Sequence, residues 1–381
     1  MRTVAAALAA LALALAAFAA SAQIAVSAND GKAVLVDGVN TVPANPEPDN
    51  VTIIGLGKGA PRVLGEVQVP TSVIGPPESG AIAPDLSYAL VTAATKIDPA
   101  DPTKTASGDT LSVIDLKSSP PGVMQTLHAG LGATGVSVNR AGTLALVANR
   151  DEGTVSIFTI AGRTLTPAGK LALDPKSGPS HVVFAPDGGT ALLTRDGDSK
   201  ISVLAINGAN VADTGNDIYA GIRPYGIEMS VKGDVAVVSN IGKGGNDDDT
   251  VSVIDLKATP IHVANTVTVG PTPEGIALSS DGAYLAVSII NGSNKAKGAP
   301  GFHDFGLVKV FRRRGFALAY VAGAKTGHWC EGAAWSKNHR TLLVQCMVEK
   351  EIRVFSFDGK TLKRTSSIPV RGGPAGLRAA E

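Results

Sequence analysis

The chain has 381 residues, 34 of them basic and 33 acidic, with a formal net charge of +1. So even a balance argues against steered binding to nucleic acid or to an anionic membrane surface. With 44 glycines, 23 prolines and only 4% aromatic residues, the composition suits many short strands and tight turns.

Met1-Arg2 is followed by an almost unbroken Ala/Leu run to Ala20, and Ala20-Ser21-Ala22 before Gln23 has the small-residue pattern of a signal-peptidase site. The run is short for a membrane anchor, no stop-transfer charges follow it, and no later stretch is long and apolar enough to span a bilayer. Residues 1–22 are therefore expected to be a cleaved signal peptide. The mature chain, 23–381, is expected as one domain, periplasmic or secreted, and monomeric.

One unit recurs along that chain. Its cleanest copy is Gly132 to Ile160: a short apolar strand, the turn Asn139-Arg140-Ala141-Gly142, the aliphatic strand Leu144 to Ala148, and the alternating strand Val155 to Ile160. The second strand recurs at Tyr88–Thr92, Thr190–Thr194, Val235–Ser239, Tyr284–Ser288 and Thr341–Gln345. The third recurs at Leu111–Asp115, Ile201–Leu204, Val251–Asp255, Val308–Phe311 and Ile352–Phe355. A weaker copy, Ala33 to Val36 with Val51 to Ile54, completes seven. Matched turns at Asp30, Asp85, Arg140, Asp187, Lys232, Asp281 and Asn338 give the spacing of propeller blades, about 40 to 50 residues. The expected fold is all-β: a seven-bladed propeller of four-stranded antiparallel blades, with an outer strand in each repeat, for example Val123 to His128 and Arg364 to Val370. Either Ile24 to Ala28 or Gly373 to Leu377 reads as the innermost strand of the closing blade, and the pattern leaves both open.

Leu146-Val-Ala-Asn149, Val237-Val-Ser-Asn240 and Leu90-Val-Thr-Ala93, with Val251-Ser-Val-Ile-Asp255 after the second of them, stand where YVTN-type repeats carry Tyr-Val-Thr-Asn. From about Ile24 to Leu377 the chain thus resembles YVTN-type and lactonase-like seven-bladed propellers, although no copy has the initial Tyr and the first and last units are degenerate. The resemblance implies the fold and leaves function open.

The long insertions, Asp37 to Asn50, Ala94 to Asp109, Ile241 to Asp249 and Asn291 to Gly306, all join second to third strands and so share one face of the ring. Loops on a rigid scaffold usually carry function. On that face each inner strand begins with a small pattern, often Pro-x-Gly, whose middle residue should point into the channel: Ser79, Thr134, Ser180 with His181 in the Gly position, Tyr225, Glu274, Glu331 and Ala375. Arg223, His328 and Trp329 lie beside this column, and second-strand ends contribute Arg195 and Asp196. Thr134, His181, Arg195, Arg223, Tyr225, Glu274, His328 and Glu331 are the candidate ligand contacts at the channel mouth. Solvated wall residues explain Glu274 and Glu331 more simply than a shared cation does, so neither metal nor cofactor is assigned.

No Cys-x-x-Cys-His, Gly-x-Ser-x-Gly, phosphate-cradling glycine loop or His-Glu-x-x-His occurs. Two readings remain: an exported propeller that binds a protein, peptide or small ligand through its inserted-loop face, or a lactonase-type hydrolase, to which the resemblance points. The first is favoured, since no motif fixes catalytic roles and no catalytic residue is assigned. Finally, Cys330 and Cys346 are the only cysteines. If Trp335 pairs with Leu342, they fall one position off exact opposition across a hairpin, so a small register shift would join them in a disulfide. Two buried free thiols are the alternative.

Overall fold

The computed structural model describes residues 23–57 and 59–380, and the expected signal peptide lies outside them. The described chain is seven four-stranded antiparallel sheets and one two-stranded hairpin. Six sheets run in chain order from inside to outside, beginning with the inner strands Gly80–Ile82, Ala133–Val138, Pro179–Phe184, Pro224–Met229, Pro273–Leu278 and Ala333–Trp335 of blades two to seven.

Blade one closes the ring. Its order is Gly373–Ala379, Gln23–Asp30, Asn50–Leu56 and Arg62–Gln68, so the C-terminal segment supplies the inner strand and the N-terminal segment the second. Ile24 to Ala28 is thus not innermost: both its edges are paired, and Ala25 and Val26 are buried on opposite faces of the sheet. The Gln23 amide fastens the seam, donating to the Ala380 carbonyl (2.6 Å) and accepting from Lys337 N–H (2.6 Å). Ala33 to Val36, expected as a second strand, instead belongs to the insertion between second and third strands, where Val34–Val36 pairs with Val39–Thr41.

The cores lie between neighbouring blades, each sheet presenting aliphatic residues to the next, as where Leu90, Leu111 and Val113 of blade two meet Val136, Val147 and Phe158 of blade three. No blade could bury these faces alone.

Inner strands share one irregularity. Ala133 pairs with Asn149 and Val136 with Val147, leaving Thr134 and Gly135 opposite the single residue Ala148. The same two-against-one bulge occurs at Ser180-His181, Tyr225-Gly226 and Glu274-Gly275, opposite Thr194, Ser239 and Ser288. A bulge leaves carbonyls outside the ladder, and they need donors. Thr194 Oγ1 lies 3.2 Å from the His181 carbonyl and 2.6 Å from that of Tyr225 in the next blade. Ser239 Oγ reaches the Glu274 carbonyl (3.0 Å) and Ser288 Oγ that of Cys330 (2.7 Å). Where Ala148 offers no hydroxyl, Thr134 Oγ1 itself reaches the Ser180 carbonyl at 2.9 Å. The Asn after that position ties second strand to third: Asn149 Nδ2 donates to Thr154 Oγ1 and Ser156 Oγ, and Asn240 Nδ2 to Thr250 Oγ1 and Ser252 Oγ. The Thr-Asn half of the repeat motif is thereby a stitching device.

The bulge also makes the disulfide. Trp335 pairs with Leu342 as expected, and the one-residue shift that sets Pro273 opposite Ile289 in blade six sets Cys330 against Cys346 in blade seven, with Cα atoms 4.0 Å apart and the sulfurs bonded. Denatured, unreduced protein should show no reactive thiol. Replacing both cysteines by alanine should cost about 3 kcal/mol in denaturant unfolding, the entropic expectation for a loop of this length; an unchanged midpoint would show that the bridge does not stabilise the last blade.

Candidate functional site: a carboxyl cluster at the channel mouth

The middle residues of the bulges point into the channel. In blade two the pairing of Gly80 with Val91, and the bonds from Thr92 to the Ser79 and Thr134 carbonyls, show that the bulge residues are Glu78 and Ser79. The column is therefore Ala375, Glu78, Thr134, Ser180, Tyr225, Glu274 and Glu331, with Glu78 where the sequence reading had Ser79. Matching Gly80 to the Gly of Pro-x-Gly slipped the register by one; the signal that would have corrected it is Pro77, aligned with Pro179, Pro224 and Pro273.

Three glutamates thus converge. Glu78 reaches across the channel to blade five, where a Cβ on Gly226 would lie 2.7 Å from its Oε1. Glu331 and Glu78 are almost wholly buried, while Glu274 is partly exposed at the mouth. Burial drives Glu331 well above the ordinary carboxyl range, helped by the charge of Glu274 and by a hydrogen bond to it. Burial likewise pushes Glu274 up to about 7, opposed by the Glu331 hydrogen bond and the charges of Arg223 and Arg150. Glu78 is raised well above its usual value by burial and then by Glu228. Like charges this close cannot all ionise, so Glu331 keeps its proton and donates to Glu274. The Trp329 indole N–H sits beside both carboxyls.

Cationic groups line the other side of the mouth. Asp196, buried in the turn that follows the second strand Thr190–Arg195, accepts from Arg150 Nε (3.1 Å) and Nη2 (2.6 Å), Arg223 Nη2 (2.9 Å) and Ser180 Oγ (2.9 Å). The Arg150 guanidinium also stands over the Tyr225 ring, 5.7 Å from its centroid. Above them opens a cleft of about 660 Å³ whose lining includes Arg150, Lys176, Asp196, Arg223 and Lys243. Below the carboxyls, Glu228 and Arg378 form an ion pair between blades five and one.

Of the residues expected at the mouth, Tyr225, Glu274, Glu331 and Arg223 come together. Thr134 is spent on the inter-blade stitch. His181 is buried, held well below its usual pKa by burial and by Arg378, and its Nδ1 accepts from Ile227 N–H (3.4 Å). Arg195 points into blade four, donating to Ser202 Oγ (3.0 Å) and paired with Asp198 and Asp217. His328 lies outside the column, between Glu349 and Asp304. Glu78 and Arg150 are the contributors that sequence reasoning missed.

Residues 114–296 match the family model described as Lactonase, 7-bladed beta-propeller. The chain is lactonase-like in fold and in part of its sequence. No curated protein matches it significantly. A putative 6-phosphogluconolactonase from Bacteroides uniformis superposes with a TM-score of 0.73 at 18% identity, covering 94% of this chain and 100% of that one. The periplasmic gluconolactonase of Pseudomonas aeruginosa gives 0.68 at 17%, covering 95% and 99%. Hydrazine synthase of Kuenenia stuttgartiensis gives 0.64 at 16%, covering 82% and 94%. At such identities the likeness establishes the propeller alone, and this lactonase-like propeller must be read from its own site.

A raised carboxyl pKa has a sign in stability. The protonated form is favoured in the fold, so the contribution of Glu274 is complete below its unfolded pKa near 4.5 and is lost as pH rises through about 7. The difference in Tm between Glu274→Gln and the parent should therefore move in favour of the variant from pH 5 to pH 8.5. A constant difference across that range would contradict the raised value.

Proposed function

We propose that the channel mouth opens a cyclic ester, with Glu274 as general base and Glu331 as general acid. The observation that carries this reading is the coupled Glu274–Glu331 pair, one member poised near neutrality and within reach of Arg150 and Arg223, two arginines that also line the neighbouring cleft. Lactone hydrolysis needs an activated water and a stabiliser for the developing oxyanion. Water attacks the carbonyl carbon as its proton passes to Glu274; Arg223 neutralises the oxyanion. The ring C–O bond then breaks, its oxygen takes the Glu331 proton, and the product is an open hydroxy acid. The pair resets when the proton held by Glu274 returns to Glu331. The cleft carries four cations, Arg150, Lys176, Arg223 and Lys243, against the two carboxylates Asp151 and Asp196, and this balance favours a lactone that carries a negative group.

The family model and the two neighbours described as lactonases support this chemistry over the binding of a protein or peptide. Export belongs to the same reading: the Cys330–Cys346 disulfide suits an oxidising compartment, and one of those neighbours is described as periplasmic.

Acid release from a panel of sugar lactones, with and without a phosphate, tests it. The parent should open at least one of them, with kcat/KM falling about tenfold per pH unit below about 7. Glu274→Gln should lose roughly a hundredfold or more. Hydrolysis no faster than in buffer, or an unimpaired Glu274→Gln, would overturn the catalytic role and leave a site that binds without turnover.

A further inference from the structure

The insertions between second and third strands do not stand apart. The blade-one hairpin reaches over blade seven to the blade-six insertion, where a Cβ on Gly38 would lie 2.4 Å from Ala296 N. Lys295 of that insertion donates to Asn246 Oδ1 (2.8 Å) and the Gly245 carbonyl (3.2 Å) of the blade-five insertion. Together they roof one side of the mouth. The roof rests on Trp329, whose backbone N–H donates to Ser293 Oγ (3.0 Å), and on a small apolar cluster of Leu35, Val73, Met347 and Ala375 that also holds the Trp329 ring. Trp329 is the residue beside the Glu274–Glu331 pair.

His328, next in sequence to Trp329, pins the blade-six insertion to blade seven. Its Nδ1 lies 2.8 Å from Glu349 Oε1 and its Nε2 2.9 Å from Asp304 Oδ1. Asp304 belongs to the insertion and its side chain is 84% exposed; the backbone after it is tied separately, the Phe305 carbonyl to Asn291 Nδ2 (3.0 Å) and Gly306 N–H to the Gly327 carbonyl (2.7 Å). An imidazole donates from both nitrogens only as the cation; the neutral ring must turn one lone pair toward a carboxylate.

We propose that His328 is a proton-operated latch: as imidazolium it ties the blade-six insertion to blade seven at Asp304, and on losing its proton it loosens that part of the roof over the channel mouth. The groups around the ring support that direction. Two carboxylates, Glu349 and Asp304, face the ring directly, and the His328 backbone N–H fixes Glu349 in place by donating to both its oxygens at 3.0 Å. The nearby cation, Arg353, is 3.9 Å from Glu349 and is drawn mainly to Glu351 at 2.7 Å. On the insertion side, His303 Nδ1 lies 3.0 Å from the Asn291 carbonyl, and Lys325 stands over the Phe305 ring. Burial opposes the charge on His328, but Glu349 and Asp304 outweigh it and raise its pKa above the usual 6.5. The latch is thus complete below 6.5 and is lost as pH rises through the folded value.

The latch does not require that the site hydrolyse anything, so its test reads motion. Hydrogen exchange of residues 290–306, corrected for the intrinsic effect of pH, should show opening that grows by up to about tenfold per pH unit as His328 deprotonates. Asp304→Asn, at an exposed position, should leave the fold intact, open the segment at acid pH and flatten the pH response. His328→Gln should do the same. Protection of 290–306 that is independent of pH in the parent, or an undiminished pH response in Asp304→Asn, would overturn the proposal.

Discussion

One extra residue at the start of each inner strand governs this propeller. The bulge turns a side chain into the channel at the same height in each blade, so three glutamates, a tyrosine and two hydroxyl residues meet by repetition rather than by any local motif. It also frees carbonyls, and hydroxyls answer them while binding the next blade: those of Thr92, Thr194, Ser239 and Ser288 from opposite the bulge, and that of Thr134 from the bulge itself. Channel chemistry and ring integrity therefore rest on the same bulged backbone. The middle residue can therefore vary, from Ala375 to Glu331, within a bulge of the same form.

Three carboxyls in so confined a wall have an electrostatic cost that protonation relieves. Glu331 and Glu78 sit deepest and hold their protons; Glu274, partly exposed and within reach of Arg150 and Arg223, is left near neutrality. The arginines are themselves anchored on Asp196, which fixes them at the mouth rather than letting them collapse onto the glutamates. A proton-holding acid, a poised base and fixed cations are the parts that the proposed ester hydrolysis would use.

Much of the fold was legible because period, turn chemistry and strand composition agree in the middle blades. Legibility failed where neighbours in space are remote in sequence. Ile24 to Ala28 and Gly373 to Leu377 both look like inner strands, and only their pairing across the whole chain assigns the first to second place. The hairpin at Val34–Val36 and Val39–Thr41 has a strand's composition without a blade's position. In the site, Tyr225, Glu274 and Glu331 followed from the Pro-x-Gly pattern, whereas Glu78 was lost to a one-residue slip. Arg195 and Asp196 part where a strand ends: Arg195, the last strand residue, points into the blade, and Asp196, the first residue of the turn, meets the arginines of the mouth.

The shared proton between Glu274 and Glu331 is the centre of this account, and infrared difference spectroscopy observes it directly. Subtracting the Glu331→Gln spectrum from that of the parent at pH 8 should leave a protonated carboxylic acid band, since burial and the charge of Glu274 keep Glu331 neutral far above its usual range. A difference containing only carboxylate bands would mean that Glu331 is ionised at that pH, and the acid–base assignment of the channel mouth would fail.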